Sequence, residues 1–423
     1  MVVSIIIPAY NSEKFIRRCL DSVVNQIYKN IEIIVVDDAS TDNTEKIIKE
    51  YAEKDNRIRP FYSSENKGVS FSRNIGLKAS TGEYIMFVDS DDELTKDAVR
   101  RMVDIANKYN SDYVDSYQII KYTKNNKEYM FTEFKLPKKH LVLGSVKDKP
   151  KIINMYMYIK GKLIKKDLIN DLLFNESLKI YEDLVFEQMI KSKVRNYVMI
   201  NKPIYVYYER EDSLVNSLGK KHECYLQASK LVKEIYKNYD INIKNIVESM
   251  LFQNGILTLF TKVIKNNDTL DNNFILSKNY IRELIDLFPN YNENKNINIV
   301  FDTEIEEHII KCDSSMIERA MLNLLSNAIK FTKENGNIVV NLYKDEQWVH
   351  IIVKDDGIGI PIGIQGMIFE RFVQGDKSLT RLNEGSGIGL SIVKSIVELN
   401  NGEIYLDSDG ENGTEFEILL LTE

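Results

Sequence analysis

Val35-Val36-Asp37-Asp38-Ala39-Ser40-Thr41-Asp42 closes an apolar run that starts at Ile31. A run over Ile31–Val36 that is apolar at every position but Glu32, and that gives way at once to acids and small hydroxyl residues, reads as a buried strand ending in a polar turn. The pattern recurs at Tyr84–Val88, which runs into Asp89-Ser90-Asp91-Asp92. Val2–Ile7 is another such strand, expected to stop at Pro8, and Ile58–Tyr62 is a short one. Helical spacing fills the gaps. Ser12 is the expected cap of a helix with Phe15, Ile16, Cys19, Leu20, Val23 and Val24 on one face. Thr44–Glu53 repeats Ile47, Ile48, Tyr51 and Ala52, and Ser70–Ala79 follows the turn Asn66-Lys67-Gly68. Strands alternating with helices predict an α/β fold, mainly a parallel sheet with helices on both faces, and ligands at the carboxyl ends of the strands.

Asp37, Asp38, Asp89, Asp91 and Asp92 sit at those ends. Bare carboxylates would repel a diphosphate. A bound Mg²⁺ or Mn²⁺ reverses this, because hard oxygen ligands hold the cation and the cation holds the diphosphate. With Pro8-Ala9-Tyr10-Asn11 and Ser72-Arg73-Asn74-x-Gly76 in the same order, residues 3 to about 215 resemble a family 2 glycosyltransferase of GT-A fold. The resemblance implies that Pro8, Tyr10 and Asp38 line the base pocket, with Arg73 and Asn74 nearby. It implies that Asp89 meets the ribose and that Asp91, beside Asp89, binds the metal. Family members are typically inverting enzymes with a UDP- or dTDP-linked sugar as donor, here passed to a glycan or lipid-linked acceptor.

Inverting transfer needs a general base for the acceptor hydroxyl. Ile180-Tyr181-Glu182-Asp183-Leu184-Val185-Phe186 resembles the family's Glu-Asp motif at a helix start. The base is assigned to Asp183, with Glu182 as the neighbour able to take the role. The plainer alternative is an acidic pair favoured by the helix dipole on an amphipathic helix with Leu184, Val185 and Met189 inward. Lys135–Lys166 holds ten lysines and one acid, Asp148. It reads as a solvated face, or as a contact to anionic lipid at the inner face of the plasma membrane. Lys162-Leu163-Ile164-Lys165-Lys166 resembles a recurrent segment of these transferases. His222 could join the metal as a late histidine does in some of them, although a lone histidine is more often structural.

The second half has its own signature. Asn323-Leu324-Leu325-Ser326-Asn327, Asp355-Asp356-Gly357-Ile358-Gly359, Ile368-Phe369-Glu370-Arg371-Phe372 and Gly385-Ser386-Gly387-Ile388-Gly389 follow in order. Strands are expected at 297–301, 337–343, 348–353, 402–406 and 415–421, with helices at 314–331 and 388–400, giving a two-layer α/β sandwich. About 297–423 resembles the GHKL ATP-binding domain of sensor histidine kinases. Asn323 and Asn327, one turn apart, would hold Mg²⁺ against the phosphates, and Lys330 would reach a phosphate. Asp355 would accept the adenine amino group, and Gly357 and Gly359 would let the backbone pass the base. Phe369 and Phe372 resemble the family's mobile aromatic box. Gly385, Gly387 and Gly389 would cradle phosphate before a helix N-terminus.

The expected domains are a transferase at 1–215, a helical tail and linker at 216–296 and an ATP-binding domain at 297–423. Asn290–Asn296 is the polar linker. A sensor kinase needs a dimeric hairpin with its acceptor histidine in the middle segment. His140, His222, His308 and His350 are the four histidines, and none has that setting. The ATP domain could therefore phosphorylate only a histidine-bearing partner or response-regulator system in trans. Position 323 holds asparagine where hydrolysing relatives carry the glutamate that activates water. The net charge of −7 argues against nucleic acid as a partner. Cys19, Cys224 and Cys312 lack metal spacing and suggest free thiols in a cytoplasm. A signalling protein whose first half senses a nucleotide sugar, and a non-functional or artificial fusion of two truncated modules, are the alternatives.

Overall fold

The computed structural model describes residues 1–124, 127–132, 139–155, 158–208, 221–251, 297–303, 314–370 and 389–421. The chain divides into two compact units, Met1–Val247 and Glu248–Glu423. Phe372, Gly385, Gly387, His308 and the linker at 290–296 lie outside the described residues.

In the first unit β1 (Val3–Ala9), β2 (Ile31–Asp37), β3 (Ile58–Tyr62) and β4 (Tyr84–Phe87) form the parallel half of a sheet in the order β3-β2-β1-β4. Helices α1 (Ile16–Val24), α2 (Thr44–Lys54) and α3 (Val69–Ala79) connect them. Every residue of β1, β2 and β4 is buried. That explains why those strands read as apolar runs without alternation. β1 does not stop at Pro8: it continues to Ala9, with Pro8 opposite Val36. On its other side β4 already ends where Val88 donates to the Ile6 carbonyl. The missing N–H of Pro8 therefore falls where no ladder bond is required.

Ser12 is not a side-chain cap. The helix starts at Ile16, and the Ser12 hydroxyl instead donates to the Tyr10 carbonyl and pairs with Ser90. The far half of the sheet is mixed. β9 (Leu163–Lys165) runs antiparallel between β4 and β6 (Tyr113–Lys124), and β6 pairs in parallel with β10 (Tyr197–Tyr208). β5 (Glu93–Leu94) and β8 (Leu141–Gly144) pair with β10, β7 (Lys127–Thr132) pairs with β6, and α4 (Ala98–Tyr109) precedes β6.

α5 (Glu182–Lys193) is not amphipathic. Leu184–Gln188, Ile190 and Lys191 are all buried. Lys162, expected on a solvated face, is also fully buried. It pairs with Glu187 at 2.9 Å and Asp115 at 3.4 Å, while Tyr113 donates to Glu187 at 2.5 Å. A buried ammonium persists only when carboxylates surround it. Lys139, Lys147, Lys149 and Lys151 remain at the surface. α6 (Lys221–Tyr236), which carries His222, packs on α5, where the Tyr236 hydroxyl donates to Gln188. The start of the expected tail thus belongs to the first unit.

The second unit has a five-stranded sheet in the order β11-β12-β13-β15-β14. The strands are β11 (Asn298–Thr303), β12 (Asn337–Lys344), β13 (Trp348–Asp355), β14 (Glu403–Asp407) and β15 (Thr414–Leu421). α7 (Ser314–Phe331) and α8 (Gly389–Leu399) pack together and onto it, burying Ile317, Met321, Leu324, Val393 and Val397. This is the expected two-layer sandwich.

Candidate functional site

The turns after β1, β2 and β4 are stitched into one surface. Asn11 donates its backbone N–H to Ser40 Oγ at 2.9 Å and accepts from Thr41 N at 2.8 Å. Glu13 N donates to Asp42 at 3.0 Å, and Ser12 meets Ser90 at 2.8 Å. Asp38 is buried and accepts from the backbone N–H groups of Lys67 at 3.0 Å and Gly68 at 2.6 Å, which draws the turn before α3 to the end of β2. Tyr10 is half exposed beside it, and Pro8 is buried beneath.

Arg73 joins this surface to α5. It is 3% exposed. One guanidinium nitrogen donates to Asp183 Oδ1 at 2.7 Å and Glu182 Oε1 at 3.0 Å, and the other donates to Asp89 Oδ1 at 3.0 Å. The planar guanidinium presents its N–H groups in a fixed fork, so one side chain holds the carboxylates in a set geometry. Asn74, expected near the nucleotide, is 2% exposed and fully engaged elsewhere. It donates to the Phe174 carbonyl at 3.0 Å and Glu176 at 2.8 Å and accepts from Phe174 N at 2.8 Å.

Two groups that sequence reasoning missed complete the cluster. Lys160 Nζ lies 3.0 Å from Asp92 and 3.4 Å from Asp89. Tyr205 donates its hydroxyl to Asp92 at 2.7 Å and accepts from Asp89 N at 3.1 Å. Nothing local marks Lys160 among ten nearby lysines. Burial pushes Glu182 up to about 7, helped by the charge of Asp183. Asp183 is also raised, by burial first, against the pull of Arg73. Burial acts on Asp89 in the same sense, but Lys160 and Arg73 outweigh it and hold Asp89 below its ordinary value.

Asp89 was expected to serve both ribose and metal, yet its two oxygens face Arg73 and Lys160. Among the described residues no group of three or more acidic, histidine or cysteine side chains could hold a metal. Half-buried Asp91 is a hard oxygen donor at the open strand end, so the site fits a divalent cation only if a ligand brings further oxygens.

In the second unit Asp355 ends β13, is 7% exposed and accepts from Gly357 N at 2.9 Å. Burial pushes its carboxyl up to about 6. A side chain at Gly357 would strike the Phe331 carbonyl at 2.4 Å, and one at Gly389 would meet Asn323 Oδ1 at 2.9 Å. The glycines thus hold the Asp355 turn and the start of α8 close to α7, which carries Asn323, Asn327 and Lys330. Gly359 adopts a positive φ of 71°.

A family model described as glycosyl transferase family 2 matches residues 4–172, and one described as histidine kinase-, DNA gyrase B-, and HSP90-like ATPase matches residues 312–423. The chain thus carries one module similar to family 2 glycosyltransferases and one similar to histidine-kinase-type ATPases, and neither match reaches half of its length. The transferase module is 36% identical over 224 residues to glycosyltransferase GlyA of Streptococcus pneumoniae, covering 50% of this chain and 31% of GlyA. It is 31% identical to the uncharacterized glycosyltransferase EpsJ of Bacillus subtilis, covering 50% of this chain and 62% of EpsJ. The ATPase module is 35% identical over 144 residues to histidine kinase P4 of Formosa agariphila, covering 33% of this chain and 10% of that protein. The crystal structure of Staphylococcus aureus TarS residues 1–349 with UDP-GlcNAc shares the fold. Its TM-score is 0.56 at 24% identity, over 68% of this chain and 82% of that one. No described helix is long and apolar enough to cross a membrane.

Proposed function

We propose that the first unit is a metal-dependent, inverting glycosyltransferase that uses a nucleoside-diphosphate sugar, and that the second unit binds Mg²⁺–ATP. The Arg73 junction carries the first reading. One guanidinium aligns the carboxylate that would meet the donor, Asp89, with the pair that would meet the acceptor, Glu182 and Asp183. A transferase must hold these two functions in register. TarS, which shares the fold, was crystallised in complex with UDP-GlcNAc, and this supports a UDP-linked donor.

In this reading the base of the donor lies by Pro8, Tyr10 and Asp38, and its ribose by Asp89. Asp91 and the diphosphate oxygens would share a Mg²⁺ or Mn²⁺, which when bound supplies neutralising charge for the leaving diphosphate. Asp183 removes the acceptor hydroxyl proton. The acceptor oxygen then bonds to the anomeric carbon from the face opposite the diphosphate. The bond to the diphosphate breaks, its electron pair leaves with the nucleotide, and the configuration inverts. Glu182, beside Asp183 on α5 and also raised by burial, is the neighbour able to take the proton-accepting role.

In the ATPase module Asn323 and Asn327 would hold Mg²⁺, Lys330 a phosphate and Asp355 the adenine amino group, with Phe372, Gly385, Gly387 and Gly389 closing the site. A histidine-bearing partner would have to come from another chain. The transferase reading is tested by calorimetry with UDP, with and without Mn²⁺. Asp91→Asn should abolish the metal-dependent binding, because a neutral amide loses the charge that holds the ion; unchanged affinity would sink the assignment.

A further inference from the structure

We propose that Lys160 is a built-in counter-cation of the donor site, which keeps a divalent metal out of the acidic turn until the nucleoside diphosphate arrives with it. The proposal rests on the transferase reading of this site.

The ammonium is placed by backbone, not by chance. The segment before β9 lies along the end of β4, where Lys160 bridges to Phe87 and Gly161 N donates to the Phe87 carbonyl at 3.0 Å. Gly161 has φ of 68°, and a Cβ there would fall 2.8 Å from the Tyr205 ring. Only glycine lets the chain cross that ring, and the crossing delivers Lys160 to the carboxylates. Its Nζ then lies 3.9 Å from the centre of the Tyr207 ring, so an aromatic wall backs the charge.

Asp89 and Asp92 flank Asp91 in sequence. Both face the same ammonium, and Asp92 is also taken by Tyr205 and by Tyr208 N at 3.0 Å. Divalent affinity rises with the number of charged oxygens offered. Here two of the three carboxylates after β4 are committed to a monovalent cation. A metal arriving alone would have to displace that cation or sit against its charge. A metal arriving with a diphosphate brings oxygens of its own. The consequence is coupled binding of metal and nucleotide.

The test uses the full chain and the free-ion resonance of Mn²⁺. Wild type should bind Mn²⁺ strongly only when UDP is present. Lys160→Met should bind Mn²⁺ without UDP at least about tenfold more tightly than wild type, as expected when the repelling charge is gone and Asp89 Oδ2 becomes available beside Asp91. Lys160→Arg, which keeps the charge, should behave as wild type. The gain should vanish in the Asp91→Asn, Lys160→Met double variant, separating this site from the ATPase module. Wild type binding Mn²⁺ alone as tightly as with UDP would overturn the proposal, whether or not Lys160→Met folds. So would a folded Lys160→Met whose Mn²⁺ binding matches wild type. Failure of the transferase reading looks different: no UDP binding by wild type under any metal condition.

Discussion

Arg73→Met tests the junction on which the transferase reading rests. The substitution keeps most of the buried volume but removes the charge between Asp89, Glu182 and Asp183. Removing one partner of a buried ion pair costs about 3–5 kcal/mol. Asp89 and Asp183 keep 24% and 22% of their side-chain surface in contact with solvent, which takes up part of the freed charge. The lower end, about 3 kcal/mol, is therefore expected. For a unit of this size that is a fall in melting temperature of about 6–12 °C. The pH dependence follows from the sign. Asp89 is held below its ordinary value, so its contribution is present above its unfolded pKa and is lost as the solution is acidified. The destabilisation should be full at neutral pH and shrink as the pH falls below ~4. Scanning calorimetry measures it. Trp348, the chain's single tryptophan, lies in the second unit and gives an internal reference by fluorescence. A loss under about 1 kcal/mol, or one that does not change with pH, would refute the assignment of Arg73 as the charge that holds the three acids together.

Asp183→Asn should leave UDP binding nearly intact and slow sugar transfer by about a hundredfold or more, the scale of a lost general base; if transfer persists while Glu182→Gln abolishes it, the base is Glu182. ATP affinity should fall as the pH drops below about 6, because burial raises Asp355 to that value and a protonated carboxyl no longer accepts the adenine amino group as a carboxylate does. Asp355→Asn should weaken ATP at all pH values, and a flat pH profile by calorimetry would remove Asp355 from the adenine contact. Incubation with γ-labelled ATP should give no acid-labile, alkali-stable label, since His350 has both ring nitrogens against Glu417 and Asp345, and His140 accepts from Asn201 N. Stoichiometric label lost on replacing one histidine would return the chain to the kinases.

The sequence by itself determined the backbone plan. Runs such as Ile31–Val36 are apolar on nearly every residue because β2 is covered on both faces, and that demand is written locally. Helices over 44–54 and 69–79 follow from periodicity, and the five strands of the second unit lie within about two residues of their expected positions. The acids at the strand ends were legible for the same reason: a polar cluster that interrupts a buried run must lie at its edge. Tertiary structure alone decided which charges go inside. Lys160 and Lys162 look like their neighbours Lys147 and Lys149 in sequence, yet the first two are turned inward onto carboxylates, Lys162 fully buried and Lys160 mostly so, and the other two face solvent. The difference lies in partners 25 to 71 residues away, such as Glu187 and Asp89, and no local pattern encodes it. Likewise Arg73 reads as one residue of a motif, but its role comes from meeting acids 16 and 110 positions distant. Desolvation sets that outcome: a charge taken out of water must find its opposite, and only the folded chain says where the opposite is.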